Sequence, residues 1–156
     1  MSDHLKVLCA ALGLLAAGAA YGQSNLDKAV STKPTVRTEI ARGQDAAFQC
    51  GLHSTGRFRQ IEACVSRIRE ENVQQQKASN AFRLGLYLSA LAEWEAVGPN
   101  NLHPEDNQPA AIELGVNVWR NEVKNNRAAL KLTEKDICAA ITMKCEAVRN
   151  SLAAIK

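Results

Sequence analysis

The sequence predicts an all-α protein: a small four-helix arrangement cross-linked by two disulfides, after an N-terminal signal peptide. Three observations predict it. Apolar residues recur at three- and four-residue spacing, and no segment shows the period-two alternation of an exposed strand. Hydrophobic residues make up 46% of the chain and aromatics only 4%. The core must therefore be built from Ala, Leu, Ile and Val, a composition that favours helices in close approach. Finally, Cys50, Cys64, Cys138 and Cys145 remain once an apolar leader containing Cys9 is removed. An even number of cysteines in an exported chain implies two bridges.

The leader is read from Met1-Ser2-Asp3-His4-Leu5-Lys6, an apolar run over 7–20, and the small-x-small exit Ala20-Tyr21-Gly22. These mark 1–22 as a cleaved signal peptide with Gln23 as the new N-terminus. The residues before Cys9 form no lipoprotein cleavage box. The run is short for a membrane span, and a retained N-terminal anchor is the alternative. Residues 23–34 are polar, end at Pro34 and read as a flexible arm; 35–156 read as one helical domain.

Within that domain a first helix is expected from about Thr35 to Cys50, carrying Val36, Ile40, Ala47 and Phe48. The segment from Gly51 to Gly56 is a turn by composition. Phe58, Ile61, Val65 and Ile68 then form an apolar stripe, which fades between Glu71 and Lys77 and resumes at Ala81, Phe82, Gly85, Leu88, Leu91 and Ala92. With no proline or strong breaker between, one long helix over 57–97 with a polar middle is expected; two helices bent near Ser79-Asn80 are the alternative. Residues 98–109 contain Pro99, Pro104 and Pro109 and end any helix, while Pro109 suits the first turn of the next one. That third helix presents Ile112, Val116, Trp119 and Val123. In the last helix Thr133 is an N-cap candidate, with Glu134 and Asp136 in the first turn. Cys138, Ile141, Cys145, Val148, Leu152 and Ile155 continue on one seam.

The cysteine spacing yields a geometric expectation. Residues 138 and 145 in a continuous helix would have Cα atoms roughly 10.5 Å apart, whereas a disulfide needs less than about 7 Å. Each should then reach Cys50 or Cys64, as 50–138 with 64–145 or as 50–145 with 64–138. Either pairing bolts the last helix to the N-terminal hairpin and closes two long loops, each stabilising by about 4 kcal/mol in the chain-entropy model. Local pairing, 50 with 64 and 138 with 145, requires the last helix to break near Thr142.

Function is constrained mostly by exclusion. The net charge is +3, and the charges interleave, as in Arg67-Ile68-Arg69-Glu70-Glu71, with no basic stripe for nucleic acid. Cys-x-x-Cys, Gly-x-Ser-x-Gly, His-Glu-x-x-His and phosphate-binding glycine loops do not occur. Beyond the leader the only histidines are His53 and His103. Cys50-Gly51-Leu52-His53 is half of a metal site, but its thiol is needed for a bridge. His103-Pro104-Glu105-Asp106 gathers an imidazole and two carboxylates in a loop, a pattern shared by solvated turns and by binding loops. Glu93 and Glu95 flank Trp94 and do not share a helix face. Tyr87 with Arg83 can line a cleft. Trp94 and Trp119 read as core or rim residues.

The expectation is an exported, non-catalytic helical binding protein of the periplasm or the secreted fraction, with another envelope or secreted protein as partner. Its contact surface would be Gln74, Gln75 and Gln76 with His103, Glu105 and Asp106. No cofactor, metal ion, nucleic acid or membrane span after signal cleavage is expected. The alternatives are a small envelope enzyme, a metal carrier using His53 with free cysteines, and a structural part of an envelope machine.

Overall fold

Between residues 80 and 97 the chain is apolar on nearly every side, and a helix of that kind has to be surrounded by others. In the computed structural model, which describes residues 35–50, 58–97, 102, 104–106 and 108–155, this helix is the axis of the fold. In chain order the helices are α1 (Thr35–Phe48), α2 (Phe58–Gln74), α3 (Asn80–Val97), α4 (Pro109–Leu130), α5 (Glu134–Ala140) and α6 (Cys145–Ala153), with a 3₁₀ turn at Pro104–Asp106. No strand occurs among the described residues. The central α3 contributes Phe82, Leu84, Leu86, Leu88, Ala90 and Leu91, all fully enclosed. It packs mainly against α1 and α4, with α2 and α6 also touching it.

The closest of these contacts is between backbones. A Cβ built on Gly43 of α1 would lie 2.1 Å from the Phe82 carbonyl oxygen and 2.7 Å from the Leu86 nitrogen of α3. Reciprocally, a Cβ on Gly85 of α3 would lie 2.0 Å from the Ile40 carbonyl oxygen of α1. Each glycine thus turns an α-proton toward a carbonyl of the facing helix. Such Cα–H···O contacts each contribute about 0.5–1 kcal/mol, and the crossing closes only because neither residue has a side chain. A third glycine, Gly115 of α4, leaves room for the Phe58 ring, 2.7 Å from where its Cβ would be. Phe58 then meets Trp94 edge-on at 4.9 Å and Trp119 at 5.2 Å between ring centroids. Both tryptophans are buried. This aromatic cluster joins α2, α3 and α4.

The α2 N-terminus is capped from a distance. Buried Asp106 accepts from the backbone N–H of Phe58 (2.6 Å) and of Arg59 (3.3 Å), satisfying donors that a helix start leaves unpaired. Pro109 occupies the first turn of α4. Thr133 caps α5 in a reciprocal box: its hydroxyl accepts from Asp136 N–H at 3.2 Å, and Asp136 accepts from Thr133 N–H at 2.8 Å.

Two expectations are corrected. The first is the single helix over 57–97. The chain turns a corner between α2 and α3, and Gln76 adopts the left-handed conformation with φ 56°. Gln76 N–H donates to Val73 O (3.0 Å) and Lys77 N–H to Asn72 O (2.7 Å), the bonding pattern of a Schellman end. The Ser79 hydroxyl then caps α3 by accepting from Phe82 N–H at 3.1 Å.

The second correction is the disulfide pairing. The bridges are Cys50–Cys64 and Cys138–Cys145, with Cα–Cα distances of 5.7 and 5.2 Å. Neither cross-pairing forms, because the last helix is not continuous: α5 ends at Ala140, Ile141 is extended, and α6 starts at Cys145. The buried Gln44 of α1 holds the break. Its Oε1 accepts from Thr142 N–H at 3.1 Å and its Nε2 donates to the Thr142 hydroxyl at 2.8 Å. A neutral amide clasp, not a disulfide, ties the C-terminal helices to α1. Among the described residues the four helices of the sequence reading become six, by division of the second and the last.

Two outcomes follow for stability. Gly43→Ala or Gly85→Ala should lower unfolding free energy by about 3 kcal/mol, measured by urea unfolding. Gly115→Ala should cost less, since it meets side chains able to shift. Replacing Cys138 and Cys145 together by Ser should cost about 2.5 kcal/mol and the 50–64 pair about 3 kcal/mol, as expected for loops closed over separations of 7 and 14 residues. Far-UV circular dichroism of the Cys138/Cys145 variant should keep its helical amplitude. Loss of that amplitude would mean the bridge, not the clasp, holds the C-terminal helices.

Candidate functional site

The corner between α2 and α3 places Gln75 and Gln76 on a groove of about 840 Å³, with Arg42, Val73, Lys77 and Arg83 among its other walls. Gln74, at the end of α2, is exposed beside it. The glutamine run is therefore not the solvated face of a continuous helix. It is the outer wall of a concavity formed where one helix ends and the next begins.

Arg42 is the hub of the groove. Projecting from α1, it lies 4.0 Å over the face of Phe82, and such stacking fixes a guanidinium in plane. From there it donates to both carboxylate oxygens of Glu39 (3.1 and 2.7 Å), to Asn72 Oδ1 (2.6 Å) and to the Lys77 carbonyl oxygen. Asn72 in turn donates to Ile68 O at 2.8 Å. Ser79 donates to Glu39 at 3.1 Å. One arginine thus binds together α1, the end of α2, the corner and the start of α3.

Hydrogen bonding from Arg42 is the main reason the Glu39 carboxyl titrates below its ordinary value; partial burial opposes this, and the Arg42 charge and Ser79 assist. Glu39 is held as an anion and is a poor proton donor. Arg83, four residues before Tyr87 on α3, also lines the groove, and its buried Nε has no hydrogen-bond partner. The Tyr87 phenol is pushed up to about 12, chiefly by burial, with Glu122 adding to the rise and Arg69 and Arg83 opposing it. Tyr87 is a core residue with only 4% exposure. Among the described residues three cations (Arg42, Lys77, Arg83) face the groove against the single carboxylate of Glu39, an excess of positive charge.

The other expected surface residues are not brought to this groove. Asp106 is 3% exposed and caps α2, so it is an internal structural group. His103 and the side chain of Glu105 lie outside the described residues, as do His53, the turn over 51–56, the signal peptide and the arm. Glu95, expected beside Trp94, joins α3 to its neighbours: it accepts from Ser151 of α6 at 2.9 Å and pairs with Arg120 of α4 at 3.6 Å.

Among the described residues one group of metal-ligand types is assembled: Glu134, Cys138 and Cys145, with ligand atoms within 4.8 Å of one another. Its two sulfurs are bonded to each other, and Glu134 accepts from Arg149 at 2.9 Å. With Cys50 and Cys64 also bridged, none of the four sulfurs is a thiolate able to ligate a metal.

Arg83 lines a cleft as the sequence allowed, without buried Tyr87, whereas Arg42 was hard to find from sequence. Arg42 lies two residues past Ile40 and so off the apolar stripe, and the corner that gives it partners has no glycine or proline to announce it. Glu39 offers a direct check. Its lowered titration means that its ionised form stabilises the fold above the ordinary carboxylate value of 4.5, and that this contribution is lost as pH falls through the depressed value. Glu39→Gln should therefore be less stable than wild type at neutral pH, and the gap should close on acidification below about pH 4.5, followed by thermal melts across pH. A gap independent of pH would show that Glu39 acts by shape alone.

Comparison with protein-family models, with curated proteins and with solved structures yields no match.

Proposed function

We propose that this is an exported, non-catalytic binding protein of the periplasm or the secreted fraction, and that it engages another envelope or secreted protein through the α2–α3 corner. The observation that carries this reading is the groove: a concavity of about 840 Å³ on the polar corner, with an excess of cations and with its one carboxylate locked in an ion pair. Such a surface suits an acidic or amide-rich segment of a partner, for which charge complementarity sets encounter rate and register. It is poorly equipped for acid–base work, since Glu39 is held ionised. Export is supported by the two intramolecular disulfides, which persist in oxidising compartments. Among the described residues no helix is long and apolar enough to cross a membrane.

The test is affinity capture from envelope extract with wild type and with a Lys77→Glu/Arg83→Glu double variant, accompanied by melts of both. A partner retained by wild type at moderate salt should be lost from the double variant at unchanged melting temperature. The same partner captured equally by both would remove the corner as the contact surface.

A further inference from the structure

Away from the residues of the polar corner, the last two turns of α4 meet the end of α6 and form a second, smaller concavity of about 340 Å³. Its floor is apolar: Leu132 and Leu152 are buried and Ile155 is half-buried. Its rim is cationic: Lys124, Arg127 and Lys131 recur at three- and four-residue spacing and so share one face of α4. Among the described residues no acidic side chain lines the concavity. The volume falls at the low end of the range of small-molecule cavities, about 300–1,000 Å³.

The backbone oxygens that end α4 are already satisfied. Lys131 N–H donates to Ala128 O at 3.1 Å and Leu132 N–H to Arg127 O at 3.3 Å. Arg127 Nε donates to Leu132 O at 3.1 Å, which orients the guanidinium and leaves its two terminal nitrogens without a hydrogen bond among the described residues. Lys131 has no ion pair among them either. It occupies a left-handed conformation, φ 54°, where glycine is favoured and a side chain costs roughly 1 kcal/mol. The lysine at that place puts a positive charge at the mouth of the apolar cleft, in a backbone conformation that a side chain disfavours.

The geometry points to a binding site for a single-chain fatty carboxylate, the alkyl tail against Leu132, Leu152 and Ile155 and the head group between Arg127 and Lys131. Charge complementarity selects the anion, and the apolar floor requires the tail. This site is separate from the corner groove and does not depend on the function proposed for it.

The experiment is isothermal titration of the full chain with decanoate below its micellar concentration, with acetate and decyltrimethylammonium in parallel. Decanoate should bind one to one, while acetate, which lacks the tail, and the cationic analogue should not. Lys131→Gly should weaken decanoate by more than about tenfold, as expected for removal of a charged hydrogen-bond donor, without lowering the melting temperature, because glycine relieves the left-handed residue. Ile155→Ser should weaken decanoate too. A lysine placed only to complement the helix end would leave decanoate affinity unchanged in Lys131→Gly, and that result would overturn the assignment. Equal binding of the cationic analogue, or no decanoate binding by wild type, would overturn it as well.

Discussion

Helices α1 and α3 touch backbone to backbone at Gly43 and Gly85, and most of the remaining architecture is positioned by that contact. Ordinary helix pairs stand 8–10 Å apart because side chains hold them there. Here a carbonyl from each helix occupies the space where the other's Cβ would be. The approach is what brings Arg42, one residue before Gly43, over the ring of Phe82 and into reach of the α2–α3 corner. It also brings Gln44, one residue after, to Thr142 on the other side. Three consecutive residues of α1 thus set the helix crossing, the polar groove and the attachment of the C-terminal helices.

That arrangement divides the labour between covalent and noncovalent ties differently from the sequence reading. Each disulfide braces a local feature: Cys50–Cys64 ties the end of α1 to α2, and Cys138–Cys145 spans the break between α5 and α6. Short loops of this kind remove less chain entropy than bridges across the whole domain would. Long-range cohesion comes instead from the core around α3, from the Gln44–Thr142 clasp, from Asp106 capping α2 and from Glu95 joining Ser151 and Arg120.

Much of the fold was legible because buried stripes have a period. Val36, Ile40, Ala47, Phe58, Ile61, Val65, Ile68, Val116, Trp119, Val123, Val148 and Leu152 were all placed on inward faces, and all are buried. Thr133 and Pro109 announced their helix starts through side-chain chemistry that acts over three residues. The two breaks were legible only as alternatives, a bend near Ser79-Asn80 and a break near Thr142 with local disulfides, for a common reason. Gln76 takes a conformation that glycine usually takes, and the break after Ala140 depends on a residue 98 positions away in sequence. Neither break is announced by a glycine or a proline. The long-range partner did leave a trace: Gln44 falls four residues after Ile40, a polar group on an otherwise apolar stripe, and such a group needs a buried partner.

The candidate site shows the same division. The glutamines were identified as a surface, but their role as the wall of a groove depends on the corner, and the charge of the groove depends on Arg42 and Arg83 arriving from two helices. Asp106 looked like loop chemistry and is a helix cap, because a lone carboxylate in a turn and a cap acting across 48 residues are indistinguishable in one dimension.

The crossing itself is open to direct observation by nuclear magnetic resonance. With an α1 position at Gly43 facing the Leu86 nitrogen at 2.7 Å from the Cβ site, a Gly43 α-proton should give a strong Overhauser contact to the Leu86 amide proton. Gly43 α-protons that show contacts only within α1 would place the two helices at ordinary separation, and the account of the fold built on their touching would be wrong.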